Sequence, residues 1–161
     1  MKNCIKIFLF FLASFVFIGC DRVTKDLAKE HLMNKETVSF FHDTFRLEYV
    51  ENTGAALNLG DNLPKKTSFW LLSMLPLAFL LILFAYAIKN MNNLSFLKIF
   101  SFALIVAGGI GNIIDRILFD RHVADFMNVG IENLRTGIFN FADVCVTSGA
   151  ILVIFLYGAK R

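Results

Sequence analysis

Thr67–Ile88 reads TSFWLLSMLPLAFLLILFAYAI, 22 residues without a charged side chain. A helix of about 20 mainly apolar residues crosses the roughly 30 Å hydrocarbon core of a bilayer. This run meets that length unaided. Three shorter uncharged runs accompany it: Ile7–Cys20 (14 residues), Ile99–Ile114 (16) and Val144–Ala159 (16). Each must carry polar ends into the membrane if it spans. Four such runs in 161 residues leave too little polar surface to cover a soluble fold. Composition agrees, with 57% hydrophobic residues, 18% charged and 19 Phe; soluble domains are about a quarter charged. We expect an α-helical integral membrane protein, one domain over 1–161, with spans at roughly 5–22, 67–88, 98–116 and 140–159.

The charges separate by side. Lys2, Lys6, Lys89, Lys98, Lys160 and Arg161 fall on one side of such a bundle, with no acid among them. All 13 acids fall on the other, eight within Asp21–Asp61 and five within Asp115–Asp143. The positive-inside rule makes the acid-free side, which holds both termini, the cytoplasm. The raw basic count argues the other way: of the 16 Lys and Arg, six are those named, which leaves ten outside. A net charge of +3, with no basic stripe interleaved with stacking aromatics, gives no sign of nucleic-acid binding.

Lys2, Lys6, the apolar stretch and Phe17-Ile18-Gly19-Cys20 have the form of a secretory signal ending in a lipoprotein cleavage box. Phe17 stands where Leu is usual, and three further spans are an odd cargo for a lipid anchor. The expected reading is an uncleaved first span. Cys4, Cys20 and Cys145 lack metal spacing, as do His31, His42 and His122. No disulfide, metal or cofactor is expected.

The outer segments carry structure of their own. Lys25–Met33 reads as a short amphipathic helix with Leu27, Ala28, His31 and Leu32 on one face. Phe45–Val50 alternates apolar and polar, which predicts a strand, and Asn52-Thr53-Gly54 a turn. A small amphipathic sheet at the membrane surface follows.

Candidate chemistry lies at the outer ends of the last two spans. Gly108, Gly111, Asn112, Asp115 and Arg116 recur at helical spacing. The small residues admit a neighbouring helix. The other three form a polar face, with Arg116 the expected partner of Asp115. Asp125 lies in Val123-Ala124-Asp125-Phe126 and Asp143 in Phe141-Ala142-Asp143-Val144, with Asn140 on the same helical face as Asp143. Both aspartates have apolar neighbours, whereas Asp120 sits beside Arg121 as a solvated loop charge. Burial raises a carboxyl pKa, and two close carboxylates do not readily ionise together. Such a pair can activate water and protonate a leaving amine, as in aspartic proteases. Spacing alone leaves a structural role open for both. A small four-span transporter or channel would also hold polar residues between helices, and an acylated Cys20 would make a lipid-anchored structural protein.

Five stretches decide between these readings: Asp21-Arg22-Val23-Thr24-Lys25, Asn52-Thr53-Gly54-Ala55-Ala56, Gly108-Gly109-Ile110-Gly111-Asn112-Ile113-Ile114-Asp115-Arg116, Val123-Ala124-Asp125-Phe126 and Phe139-Asn140-Phe141-Ala142-Asp143. Together and in this order they resemble the lipoprotein signal peptidase family, the bacterial type II signal peptidases. The resemblance implies an aspartic endopeptidase of the bacterial inner membrane. It implies cleavage of prolipoproteins before a diacylglyceryl-modified Cys, contact with membrane lipids and inhibition by globomycin-type cyclic peptides. Asp125 and Asp143 match the catalytic dyad. Asn52, Gly54, Asn112, Arg116 and Asn140 match residues that line or shape the site, with Asn52 or Asn140 a candidate donor to the reaction's oxyanion. Asp21, Lys25 and Asp115 match positions of a structural kind, Asp115 through Arg116. The resemblance also implies cytoplasmic termini, which puts the site near the outer face; there we expect the surface strand and the loop before Asn52 to act as a lid. Leu57 and Ala124 depart from the family's usual Phe and larger β-branched residue, and both bear on pocket shape.

Overall fold

The computed structural model describes residues 2–55 and 59–158. Ala56, Leu57, Lys160 and Arg161, named above, lie outside the described residues, as does the last residue of the 140–159 span. Four helices are long and apolar enough to cross a membrane: α1 (Lys2–Leu32), α2 (Lys65–Lys89), α3 (Phe96–Leu118) and α4 (Phe141–Gly158). Strands β1 (Val38–Phe40), β2 (Phe45–Asn52), β3 (Val123–Ile131) and β4 (Leu134–Arg135) form one antiparallel sheet in chain order. The sheet is strung between α1 and α2 and between α3 and α4, so it caps the bundle end opposite the N-terminus.

The central helix is α3. Its apolar window is 56% buried, against 11% to 17% for the other three. Ile99, Phe102, Ala103 and Val106 pack there with Phe10 of α1 and Ala87 of α2. Large apolar side chains elsewhere face outward, among them Phe8, Phe15, Ile82 and Phe155, as a lipid-facing surface requires. At the far end Lys6 Nζ donates to the carbonyls of Met91 (3.1 Å) and Leu94 (2.7 Å), which ties α1 to the α2–α3 turn.

Two elements differ from the sequence expectation. The amphipathic segment at Lys25 is not a separate helix but the end of α1, which runs 31 residues unbroken. At 1.5 Å per residue that is about 46 Å, so its last turns stand clear of the hydrocarbon. Ion pairs four residues apart, Asp21–Lys25 and Arg22–Asp26, support the helix through the interface. In α2, Trp70–Met74 widens into a π-helical turn just before Pro76. Proline has no N–H and its ring crowds the carbonyl four residues back, so the turn opens rather than breaks.

Glycine fixes how closely α3 meets α4. A Cβ on Gly108 would overlap the Ala142 carbonyl oxygen, and one on Gly149 would lie 2.7 Å from the Ser101 carbonyl oxygen. Gly19 has open space around it. Gly108→Ala should therefore cost about 1–3 kcal/mol through overpacking, while Gly19→Ala should not lower stability. Thermal unfolding of the two variants in detergent measures the difference.

Candidate active site

The first turn of α4 organises the site. A helix start leaves four N–H groups without intrahelical partners. Here Asn140 is the capping residue and Asp143 lies three positions on. Asn140 Oδ1 accepts from the Asp143 N–H (3.0 Å), and Asp143 Oδ2 accepts from the Asn140 N–H (3.0 Å). This reciprocal pair is a capping box built from Asn and Asp. The Ala142 N–H is taken from across the bundle by Asp21 Oδ1 of α1 (2.9 Å).

Asp125 reaches the same place from β3. Val123–Phe126 is part of this strand, and its alternation sends Asp125 to one face and Ala124 to the other. Register pairs Val50 with Asp125 and Asn52 with Val123, after an irregularity between Leu47 and Val50. Asn52 thus lies on the Asp125 face. Its Nδ2 donates to Asp125 Oδ2 (3.0 Å) and to the Ala55 carbonyl (3.2 Å). Asn140 Nδ2 donates to Asp125 Oδ1 (2.6 Å) and to Asn112 Oδ1 (3.1 Å). Asn140 therefore touches both aspartates, through its amide to one and its backbone to the other.

Asp125 is 4% exposed. Burial pushes its carboxyl up to about 6, opposed by the Asn52 hydrogen bond, reinforced by the nearby Asp143 charge and opposed again by Asn140. Asp143 Oδ1 accepts from Asn112 Nδ2 (2.8 Å). Both carboxylates open on a cavity of about 710 Å³ whose apolar wall includes Leu72 and Pro76 of α2 and Val146 of α4. A pocket of this size, mostly apolar with a few converging polar groups, is the usual form of a ligand site.

Behind the cavity lies a buried charge cluster. Lys25 is fully buried, and its Nζ meets Asp21 Oδ2 (2.8 Å), Asp115 Oδ2 (2.7 Å) and Asn112 Oδ1 (3.0 Å). Arg22 Nη1 completes it at Asp115 Oδ1 (2.6 Å). Asp115 is thus paired with Arg22 and Lys25 of α1, not with Arg116 as the sequence suggested. The reason is helical geometry. Adjacent residues point about 100° apart, so Asp115 faces α1 while Arg116 faces the cavity. Arg116 donates instead to the carbonyls of Gly54 (2.9 Å) and Asn112 (3.3 Å). Gly54 is buried, and its N–H donates to Asn52 Oδ1 (2.8 Å).

Three further expectations change. Ala124 faces a second cavity with Tyr49 and Arg22, away from Asp125, so it does not shape the dyad's pocket. The residues before Asn52 are not a loop but β2, paired on both sides by β1 and β3. Asn52 and Asn140 have their amide N–H groups engaged by Asp125 and by other acceptors, which leaves no spare donor for an oxyanion. Sequence reading missed Arg121, whose guanidinium holds the carbonyls of Thr53 (3.1 Å) and Asp61 (3.3 Å). Arg22 was missed as the partner of Asp115. Neither carried a local signal, because both partners are distant in the chain. Asp120 is exposed and pairs with Lys65 at 2.5 Å.

The family described as signal peptidase (SPase) II matches residues 13–158. The chain belongs to the signal peptidase II family. A lipoprotein signal peptidase of Clostridium tetani is 41% identical over 135 residues, covering 83% of this chain and 82% of its own. One of Chlorobium phaeobacteroides is 38% identical over 159 residues, covering 92% and 95%. One of Borrelia duttonii is 36% identical over 151 residues, covering 91% and 86%. Among solved structures, a bacterial membrane enzyme determined by the in meso method at 2.3 Å resolution superposes with a TM-score of 0.80, at 26% identity over 96% of this chain and 90% of its own. Signal peptidase II enzymes are proteases, and family and helices together make this a bacterial inner-membrane protein. None of these relatives is a transporter or channel.

The buried cluster has a measurable cost if broken. Lys25→Met leaves Asp21 buried without a cation and Asp115 with Arg22 alone, and should destabilise the fold by about 3–5 kcal/mol. Lys65→Met, which removes only an exposed pair, should leave the unfolding midpoint in place. Thermal unfolding in detergent compares the two.

Proposed function

We propose that this chain is an aspartic endopeptidase that removes the signal peptide of prolipoproteins, cutting before a diacylglyceryl-modified Cys. One observation carries the reading: a strand aspartate and a helix-mouth aspartate, Asp125 and Asp143, open on one cavity and share Asn140 as a hydrogen-bonding partner. The names of the relatives supply the substrate class.

The two environments divide the work. Asp125 holds the shared proton, because burial favours its neutral form. Asp143 takes the part of the base, its two oxygens fixed by the Asn112 amide and the Asn140 N–H. Asp143 takes a proton from water as the water oxygen bonds to the scissile carbonyl carbon. Asp125 gives its proton to the carbonyl oxygen, so no separate oxyanion donor is needed. Asp125 then recovers a proton from a hydroxyl of the tetrahedral intermediate. Asp143 delivers its own to the amide nitrogen as the C–N bond breaks. The products are a signal-peptide carboxylic acid and an amine on the lipidated Cys.

The substrate helix enters from the side, with its acyl chains in lipid and the cleavage segment against the apolar wall formed by Leu72, Pro76 and Val146. The unwound peptide is tolerated there because the cavity is lined by protein. The termini lie in the cytoplasm and the site near the outer face, in keeping with the acid-free end of the bundle. A globomycin-type cyclic peptide occupies the same cavity and competes with substrate.

Asp125→Asn and Asp143→Asn should each abolish release of signal peptide from a lipid-modified precursor, in protein that still inserts, whereas Asp120→Asn should cleave normally. Cleavage at the parental rate by either dyad variant would sink the assignment.

The proton on Asp125 gives a second test. It is present below a pH of about 6 and lost above it, so kcat/KM should fall as pH rises through that value. Asn52→Leu removes a donor to the charged carboxylate. The charged form is then less favoured, and the falling limb should move about one pH unit higher. A limb that stays or moves to lower pH counts against the assignment.

A further inference from the structure

We infer that Lys25 is a positioning residue for catalysis, acting through the amide of Asn112 on Asp143; this rests on the peptidase reading above. Lys25 is 0% exposed, and its ammonium has only donors to offer. The atom of Asn112 that faces it at 3.0 Å must therefore be the oxygen. That fixes the other end of the same amide: Nδ2 points at Asp143 Oδ1, 2.8 Å away. With the amide reversed, nitrogen would face ammonium and oxygen would face carboxylate, two repulsive contacts at once.

The Asn112 oxygen has a second donor, Asn140 Nδ2 at 3.1 Å, which also serves Asp125 at 2.6 Å. A single orientation at Asn112 therefore keeps both aspartates supplied with donors. The Asp143 carboxylate and Asn140 Nδ2 favour the same orientation. Lys25 adds to it the one full positive charge on the Asn112 oxygen, and Asp21 and Asp115 hold its Nζ on target at 2.8 and 2.7 Å. The cluster is then more than a structural ion pair. It is the fixed end of a hydrogen-bonded chain that runs from Lys25 through Asn112 to Asp143.

The test is a double-mutant cycle on the whole protein in detergent, read by cleavage of a lipid-modified precursor. Because Lys25→Met alone leaves the Asp21 carboxylate without a cation, while Asp115 keeps Arg22, the first arm is the charge-compensated pair Lys25→Met/Asp21→Asn. The second arm is Asn112→Ala and the third combines both. If Lys25 acts through Asn112, the compensated pair lowers kcat at least tenfold with KM within about twofold of the parent, and adding it to Asn112→Ala lowers kcat by less than twofold further. A purely structural cluster gives the opposite pattern. In that case kcat is unchanged in the folded compensated pair, or the losses multiply in the combination, and either result overturns the inference. If the first pair does not insert, Lys25→Met/Asp115→Asn takes its place with the same expected outcomes. Asp125→Asn runs alongside. Its failure to abolish cleavage would refute the peptidase reading, whereas a multiplicative cycle with Asp125→Asn inactive refutes the positioning role alone.

Discussion

A helix that begins inside a membrane bundle has N–H groups that water does not reach, and the rest of this site follows from how they are satisfied. In hydrocarbon an unsatisfied backbone group costs several kcal/mol. Three acceptors meet the need at the start of α4: the side chains of Asn140, Asp143 and, from α1, Asp21. Two of them are then held at fixed orientation beside a cavity. The capping box places Asp143 with one oxygen on backbone and one on Asn112, and it places Asn140 with its amide free to reach Asp125. The hydrogen bonds that cap the helix thus also fix the positions of two carboxylates beside one cavity.

Much of this was legible in the chain. Uncharged runs mark the four spans because lipid admits no other long apolar segments, and the Phe45–Val50 alternation marks β2. The five ordered boxes mark the family, and the structure brings polar residues from all five to one end of the bundle. What was illegible is long-range. The sequence neighbours Asp115 and Arg116 look like a pair, but successive helical residues diverge, and their partners are 93 and 62 positions away. Val123–Phe126 has the length of a strand but reads as a connection, because an aspartate interrupts its apolar face. Lys25 looks like an amphipathic helix charge until α3 and α4 close over it. The opening of α2 at Trp70–Met74 was signalled by Pro76, yet a proline predicts disturbance without saying whether the helix kinks or widens.

The two faces of the sheet separate tasks. Asp125 and Asn52 look into the cavity, while Ala124 and Tyr49 look toward the extension of α1. A substitution on one face need not be felt on the other, which is why the departure at Ala124 leaves the dyad's surroundings unaltered. Arg116 and Arg121, by contrast, both grip the segment after β2 through its carbonyls. They bind backbone, so the side chains of that segment can vary without loosening the grip.

The uninterrupted helix α1 also bears on how the protein is assembled during synthesis. Its outer end carries Asp21, Arg22, Lys25 and Asp26, two acids and two bases that pair with each other four residues apart. Helix α1, which precedes α3 and α4 in the chain, can therefore enter the bilayer with these four charges balanced among themselves. Asp115 joins Arg22 and Lys25 only when the third helix arrives, and Asp21 captures the Ala142 N–H only with the fourth. Asp125 and Asp143 thus come to share Asn140 only once α4 packs against α3.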